Sequence, residues 1–192
     1  GYVYEPGSTF KVAVIAAALN EGVVRPDTCF DCENGLWMYK GKPMRDFHGY
    51  GILSVADILK KSSNIGAAKI ALLLGEARLE KYLRDFGIGR RTGIEIPGEE
   101  AGLFRPRSQW DTLTATRVAY GHSVGVTTLQ MVNLVGALGN RGFLMRPTVV
   151  RRVSDARGRR IREFEPAVAG RPIREETARL MCQLMTRVTE EG

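Results

Sequence analysis

The stretch that most limits what this chain can become is Ser8 to Leu19, STFKVAVIAAAL. It is apolar on nearly every face, and a helix that is apolar all round must be covered on several sides. Its alanine-rich part, Val12 to Leu19, is far short of the roughly 20 residues needed to span a bilayer. The segment therefore reads as the central rod of a helical core. Pro6-Gly7 turns the chain into it, and Asn20-Glu21-Gly22 ends it, with Gly22 free to turn left-handed. Lys11 is the one charged residue in the stretch, three residues after Ser8. Positions three apart share a helix face, so the hydroxyl and the amine are neighbours. First-turn N–H groups of a helix lack intrahelical partners, and the helix dipole favours negative charge beside them. A lysine among apolar side chains loses proton affinity by desolvation and can take a proton from the serine. The bland reading of the same S-x-x-K is a capping serine followed by a surface lysine.

Helical signals dominate elsewhere. Residues 25 to 51 read as a long connection, rich in Gly, Asp, Pro and aromatics, with short strands around Leu36 to Tyr39. Ser54 caps a short helix running to Lys61. A break at Ser62-Ser63-Asn64 leads into a helix over Ile65 to Leu74, and an amphipathic helix follows over Glu76 to Phe86. Thr127 and Gln130 form a capping box ahead of a helix carrying Leu129, Val132, Val135 and Leu138. Val149 to Val153 and Ile161 to Phe164 alternate as strands joined by a turn at Asp155 to Gly158. Ile173 to Val188 carries apolar residues at three-to-four spacing and closes the chain as a strong amphipathic helix.

The net charge is +7, and Arg151, Arg152, Arg157, Arg159, Arg160 and Arg162 crowd one short stretch. Aromatic residues do not interleave with it apart from Phe164, so it reads as the solvated face of a hairpin and no nucleic-acid partner is expected. Cys29 and Cys32 form C-x-x-C, but the only histidines are His48 and His122, and neither has ligand spacing, so no metal is expected. A local disulfide and a pair of reduced structural thiols both fit those two cysteines. Cys182 falls in the apolar stripe of the last helix and reads as packing. Gly121-His122-Ser123-Val124-Gly125 matches the G-x-S-x-G of a nucleophile elbow, yet no histidine follows Ser123 to complete a triad. It reads instead as a tight glycine loop leading into the Thr127 cap.

Ser62-Ser63-Asn64 supplies S-x-N, 54 residues after Ser8. S-x-x-K and S-x-N are two of the three elements of serine β-lactamases and penicillin-binding proteins. The context resembles class B penicillin-binding proteins. Glu5-Pro6-Gly7-Ser8-Thr9-Phe10-Lys11 is similar to their "EPGST-x-K". Leu59-Lys60-Lys61-Ser62-Ser63-Asn64-Ile65-Gly66 is similar to "L-x-K-S-S-N-x-G". Phe86-Gly87-Ile88-Gly89 with Thr92-Gly93-Ile94, and Tyr120-Gly121 with Val126-Thr127-Thr128-Leu129-Gln130, resemble later landmarks in the family's order, Thr128 standing where proline is usual. Asn64 and the K-S-S-N context lean toward the division-specific members.

The resemblance implies an α+β fold of the serine β-lactamase and penicillin-binding-protein transpeptidase type, here mainly the helical lobe plus a small β-hairpin. It implies Ser8 as nucleophile, Lys11 as its base, Ser62 as proton relay and Asn64 as a substrate-binding residue. The implied partners are peptidoglycan stem peptides, β-lactam antibiotics and cell-wall or division proteins; no cofactor is implied. The implied location is the bacterial cytoplasmic membrane, with this part facing the periplasm or cell exterior. The family's third element, Lys-Thr-Gly or Lys-Ser-Gly, is absent from all 192 residues. Residues 1–192 are therefore expected to be part of a transpeptidase domain, with sheet strands lying before residue 5 and after residue 192, and to acylate poorly by themselves. A β-lactam-sensing or non-catalytic module and a serine β-lactamase of the same superfamily are the alternatives.

Overall fold

The computed structural model describes residues 1–191. A 3-10 turn, Gly7–Phe10, leads into α1 (Lys11–Asn20), after a short β1 (Val3–Tyr4). Next come β2 (Cys29–Asp31), β3 (Leu36–Tyr39), β4 (Lys42–Arg45), β5 (Ile52–Ser54), α2 (Val55–Lys61), α3 (Asn64–Leu74) and α4 (Glu76–Asp85). The second half holds α5 (Thr114–Ala119), β6 (Val126–Thr127), α6 (Thr128–Gly139), β7 (Leu144–Met145), β8 (Arg152–Ser154), β9 (Arg160–Glu163), β10 (Val168–Gly170) and α7 (Glu175–Glu191). The strands pair only in twos, all antiparallel: β1 with β6, β2 with β5, β3 with β4, β7 with β10, β8 with β9. The molecule is thus a helical body trimmed with short β-ribbons.

The rod is as central as its composition requires. Every residue of α1 from Lys11 to Leu19 is buried. α2, α3, α4 and α7 pack around it. Ala13, Ala16, Ala17 and Ala18 let those neighbours approach closely, and Ile65, Ile70, Leu79 and Leu83 fill the space between them. The end of the rod is tied by Asn20. Its amide donates to Tyr82 Oη (2.7 Å), and its Oδ1 accepts from the Arg174 backbone N–H (2.9 Å) and Thr177 Oγ1 (3.0 Å). One side chain so links α1 to α4 and α7.

Several expectations need adjusting. Ser8 lies in the 3-10 turn rather than in the α-helix, which begins at Lys11. The first arginine-rich strand is shorter than the alternation suggests, Arg152–Ser154, and the second keeps its length but starts one residue earlier, at Arg160. α5 carried no periodic signal strong enough to be read, being only six residues long. Cys182 is exposed, not packed: the buried stripe of α7 is Thr177, Ala178, Met181 and Leu184, one residue out of phase with it. Cys29 and Cys32 are both free thiols. Cys29 opens β2 and is exposed, while Cys32, the residue just after that strand, is buried in the core; the extended chain between them spans about 10 Å, beyond disulfide reach. The capping box forms as read: Thr127 Oγ1 accepts from Gln130 N (3.2 Å) and Gln130 Oε1 from Thr127 N (2.9 Å).

Candidate active site

Ser8 lies in the 3-10 turn, and Lys11, the first residue of α1, closes that turn by donating its backbone N–H to Ser8 O. In a 3-10 helix, side chains three apart eclipse one another, which an α-helix achieves only partly. Lys11 Nζ lies 3.0 Å from Ser8 Oγ. Ser8 is exposed at the surface while Lys11, one turn deeper, is 1% exposed. The turn has no side-chain cap, so its leading N–H groups meet no side-chain acceptor. Gly7 makes the turn possible with φ +60°, and its N–H donates to Gly121 O at 3.2 Å. Gly121 lies so close that a Cβ there would fall 2.1 Å from Gly7 O.

The second motif reaches the same amine from the other side. α2 ends in a left-handed residue, but the residue is Ser62 (φ +56°, ψ +39°), where glycine is usual. Ser62 N–H donates to Leu59 O and Ser63 N–H to Ile58 O, the two bonds of a Schellman ending. That turn swings both oxygens of Ser62 onto Lys11 Nζ, the carbonyl at 2.5 Å and Oγ at 2.9 Å. Backbone strain is commonly held where a fold builds a reactive site.

Lys11 thus faces three oxygens. The Ser62 carbonyl can only accept, so it takes one N–H. A neutral amine has one more N–H, which suits Ser62 Oγ, and one lone pair, which suits the proton of Ser8. Burial lowers the Lys11 pKa from its ordinary 10.5 to about 8; the charge of Asp46 opposes that shift. With a pKa near 8, part of the amine is free base close to neutral pH and can accept a proton.

Ser8, Ser62 and Asn64 open onto one cleft of about 560 Å³, lined also by Phe47, His48, Tyr50, Lys60 and Lys61. Asn64 is only half-exposed, and its amide donates to Arg45 O at 3.0 Å. Ser63 is buried and caps α3, its Oγ accepting from Gly66 N at 2.9 Å. Asp46 was not legible in the sequence. Its Oδ1 accepts from the backbone N–H of Asn64 (2.5 Å) and Ile65 (3.0 Å), and its Oδ2 accepts from Ser63 Oγ (2.6 Å). An isolated acid after a short strand has no periodicity to betray it.

Ser123 is no nucleophile elbow. A helix, α5, precedes it instead of a strand. Its backbone N–H donates to Glu5 Oε1 (2.8 Å), and His122 Nδ1 pairs with Glu5 Oε2 (2.9 Å). The loop is a brace behind the turn that carries Ser8.

A serine in a 3-10 turn and a lysine at the start of the buried helix behind it, with a serine loop closing on the same amine, match the S-x-x-K and S-x-N arrangement shared by the class of penicillin-binding proteins and serine β-lactamases. Within that class the chain belongs to the penicillin binding protein transpeptidase domain family, whose model matches residues 2–192. It is 31% identical over 98% of its length to stage V sporulation protein D of Bacillus subtilis. It is 29% identical over 99% of its length to the peptidoglycan D,D-transpeptidase FtsI of Escherichia coli K12. It spans about 30% of the length of each of these relatives. Penicillin-binding protein 3 of Mycobacterium tuberculosis, solved in complex with ampicillin, superposes with a TM-score of 0.92 at 29% identity, covering all of this chain and 42% of that one.

Proposed function

We propose that this chain forms the serine- and lysine-bearing part of a peptidoglycan D,D-transpeptidase, and that residues 1–192 are one portion of its transpeptidase domain. The observation that carries the reading is the single amine of Lys11 within hydrogen-bond distance of both Ser8 Oγ and Ser62 Oγ. In this reading Lys11, as free base, takes the proton of Ser8. Ser8 attacks the penultimate D-alanine carbonyl of a stem peptide, forms an ester and releases the terminal D-alanine. Ser62 passes the proton to the leaving amine, and Asn64 orients the peptide. An amino group of a neighbouring stem then attacks the ester, forms the cross-link and frees Ser8. β-Lactams stop at the ester because the opened ring stays attached. The K-S-S-N context around Asn64 supports a septal role, with cell-division proteins as partners. Among the described residues no helix is long and apolar enough to cross a membrane; the proposed membrane anchor belongs to the rest of the protein, with this part on the outer side.

The test is covalent labelling with a fluorescent penicillin in the longer protein that carries this chain. Ser8→Ala is expected to abolish labelling, and Ser123→Ala to leave it intact. Labelling that survives Ser8→Ala would remove the assignment.

A further inference from the structure

We propose that Asp46 is a positioning residue for the catalytic loop: its carboxylate holds residues 63–65 so that Ser62 can present both of its oxygens to Lys11. This rests on the functional reading above. Asp46 stands at the end of β4, and its backbone N–H is pinned to Gly35 O at 3.1 Å. From there its two oxygens take three hydrogens from three consecutive residues of the loop. The first N–H groups of a helix have no intrahelical acceptor. In α3 they are shared out: Asn64 and Ile65 go to Asp46, and Gly66 goes to Ser63 Oγ. Ser63 Oγ can accept from Gly66 because its own hydrogen is directed at Asp46; its other polar neighbour is the buried thiol of Cys32, 3.4 Å away. Ser63 is therefore fixed from both ends. Ser62, one peptide earlier and in a conformation that serine rarely adopts, has its carbonyl aimed by whatever fixes Ser63.

A capping side chain alone would not need a charge, but Asp46 has a second, electrostatic line to the site. Among the groups around Lys11 are Ser8 from the 3-10 turn and Ser62 from the loop, with Lys60, Lys61 and His48 on the cleft rim. Asp46 is the charged group that raises the proton affinity of the amine against the effect of burial. Removing the charge should therefore move two observables in opposite senses. The fraction of free amine at neutral pH rises, while the aim of Ser62 worsens.

The experiment compares Asp46→Asn with the unaltered protein in the longer protein that carries this chain. The readouts are the rate of Ser8 acylation by a fluorescent penicillin from pH 5 to 10, and thermal stability. The amide keeps the shape and one acceptor, so the variant folds; Asp46→Glu serves as a second variant that keeps the charge. For Asp46→Asn the acid limb is expected to move to lower pH, while the plateau rate falls roughly tenfold, the size of one misplaced charge-assisted hydrogen bond. Asp46→Glu is expected to keep the acid limb in place and lose only plateau rate. An unmoved acid limb with an undiminished plateau, whatever the change in melting temperature, overturns the proposal and leaves Asp46 a cap. Absence of labelling in the unaltered protein would count against the transpeptidase reading instead. Asp46 would then be judged by titrating the Lys11 amine by NMR: a lower titration point in Asp46→Asn supports the electrostatic link, and an unchanged one overturns it.

Discussion

At the scale of single residues, Ser62 carries two requirements that can be separated. Its left-handed backbone aims the carbonyl, and its side chain supplies a hydroxyl. Left-handed geometry costs a residue with a Cβ about 1–2 kcal/mol, and glycine almost none. Ser62→Gly should therefore melt higher than Ser62→Ala, by about 1 kcal/mol of stability, while both keep the carbonyl contact and both lose most of the acylation rate. Equal melting temperatures would mean that the turn is not strained, and full activity in Ser62→Gly would mean that the hydroxyl is dispensable. The closeness of Ser8 and Lys11 could be read from their three-residue spacing on one helix face, whereas Ser62 and Asn64, more than fifty residues on, were singled out by the resemblance of their sequence context rather than by any spacing. Asp46 was not, because its role depends on a hairpin folding back over a helix start some eighteen residues later, and no local pattern encodes that distance.

At the scale of elements, the loop is held as much by packing as by hydrogen bonds. Gly66 lies in the first turn of α3 against the buried Ile58 of α2, and a Cβ there would meet Ile58 Cγ1 at 2.5 Å and Cδ1 at 2.6 Å. Those helices flank residues 62 and 63. Gly66→Ala is expected to cost about 1–3 kcal/mol, as overpacking of a filled core does, measured by chemical denaturation. The gain in helix propensity from replacing glycine, roughly 1 kcal/mol, is too small to reverse the sign. A neutral or stabilising result would show that α2 and α3 separate freely. The long helices were readable as helices from periodicity or from uniform apolarity, but in α6 the set read as its apolar stripe was out of phase: Val132 and Val135 are exposed, and Met131, Leu134, Ala137 and Leu138 are buried. The ribbons were less so: two to four residues per strand leave hardly one full alternation, and β2 and β5 are joined by residues distant in sequence. The phase of α7 was misjudged at Cys182 because leucine, methionine and cysteine are all apolar, and only the neighbours of α7 decide which of them turns inward.

At the scale of the whole molecule, the readiness of Lys11 is a load on the fold. The unfolded lysine titrates near 10.5 and the folded one at about 8. Between those values the unfolded chain binds the extra proton, so stability rises with pH across that window, and below pH 8 the burial penalty is present in full. The change amounts to about 3 kcal/mol. Lys11→Met, which keeps the apolar stem and drops the charge, should remove this dependence. The stability difference between the two proteins is expected to shift by that amount in favour of the lysine form from pH 8 to pH 10.5, followed by denaturant unfolding; parallel curves would refute the buried free base. The site also has one margin that tolerates almost nothing. Where Gly121 rests on Gly7, backbone touches backbone, and even a methyl group has nowhere to go. Substitutions at the exposed cleft-rim residues Phe47 and His48 can reshape the opening, whereas the backbone floor beneath Ser8 leaves no room for a side chain at Gly121, so a ligand that rests on that floor meets the least variable surface of the cleft.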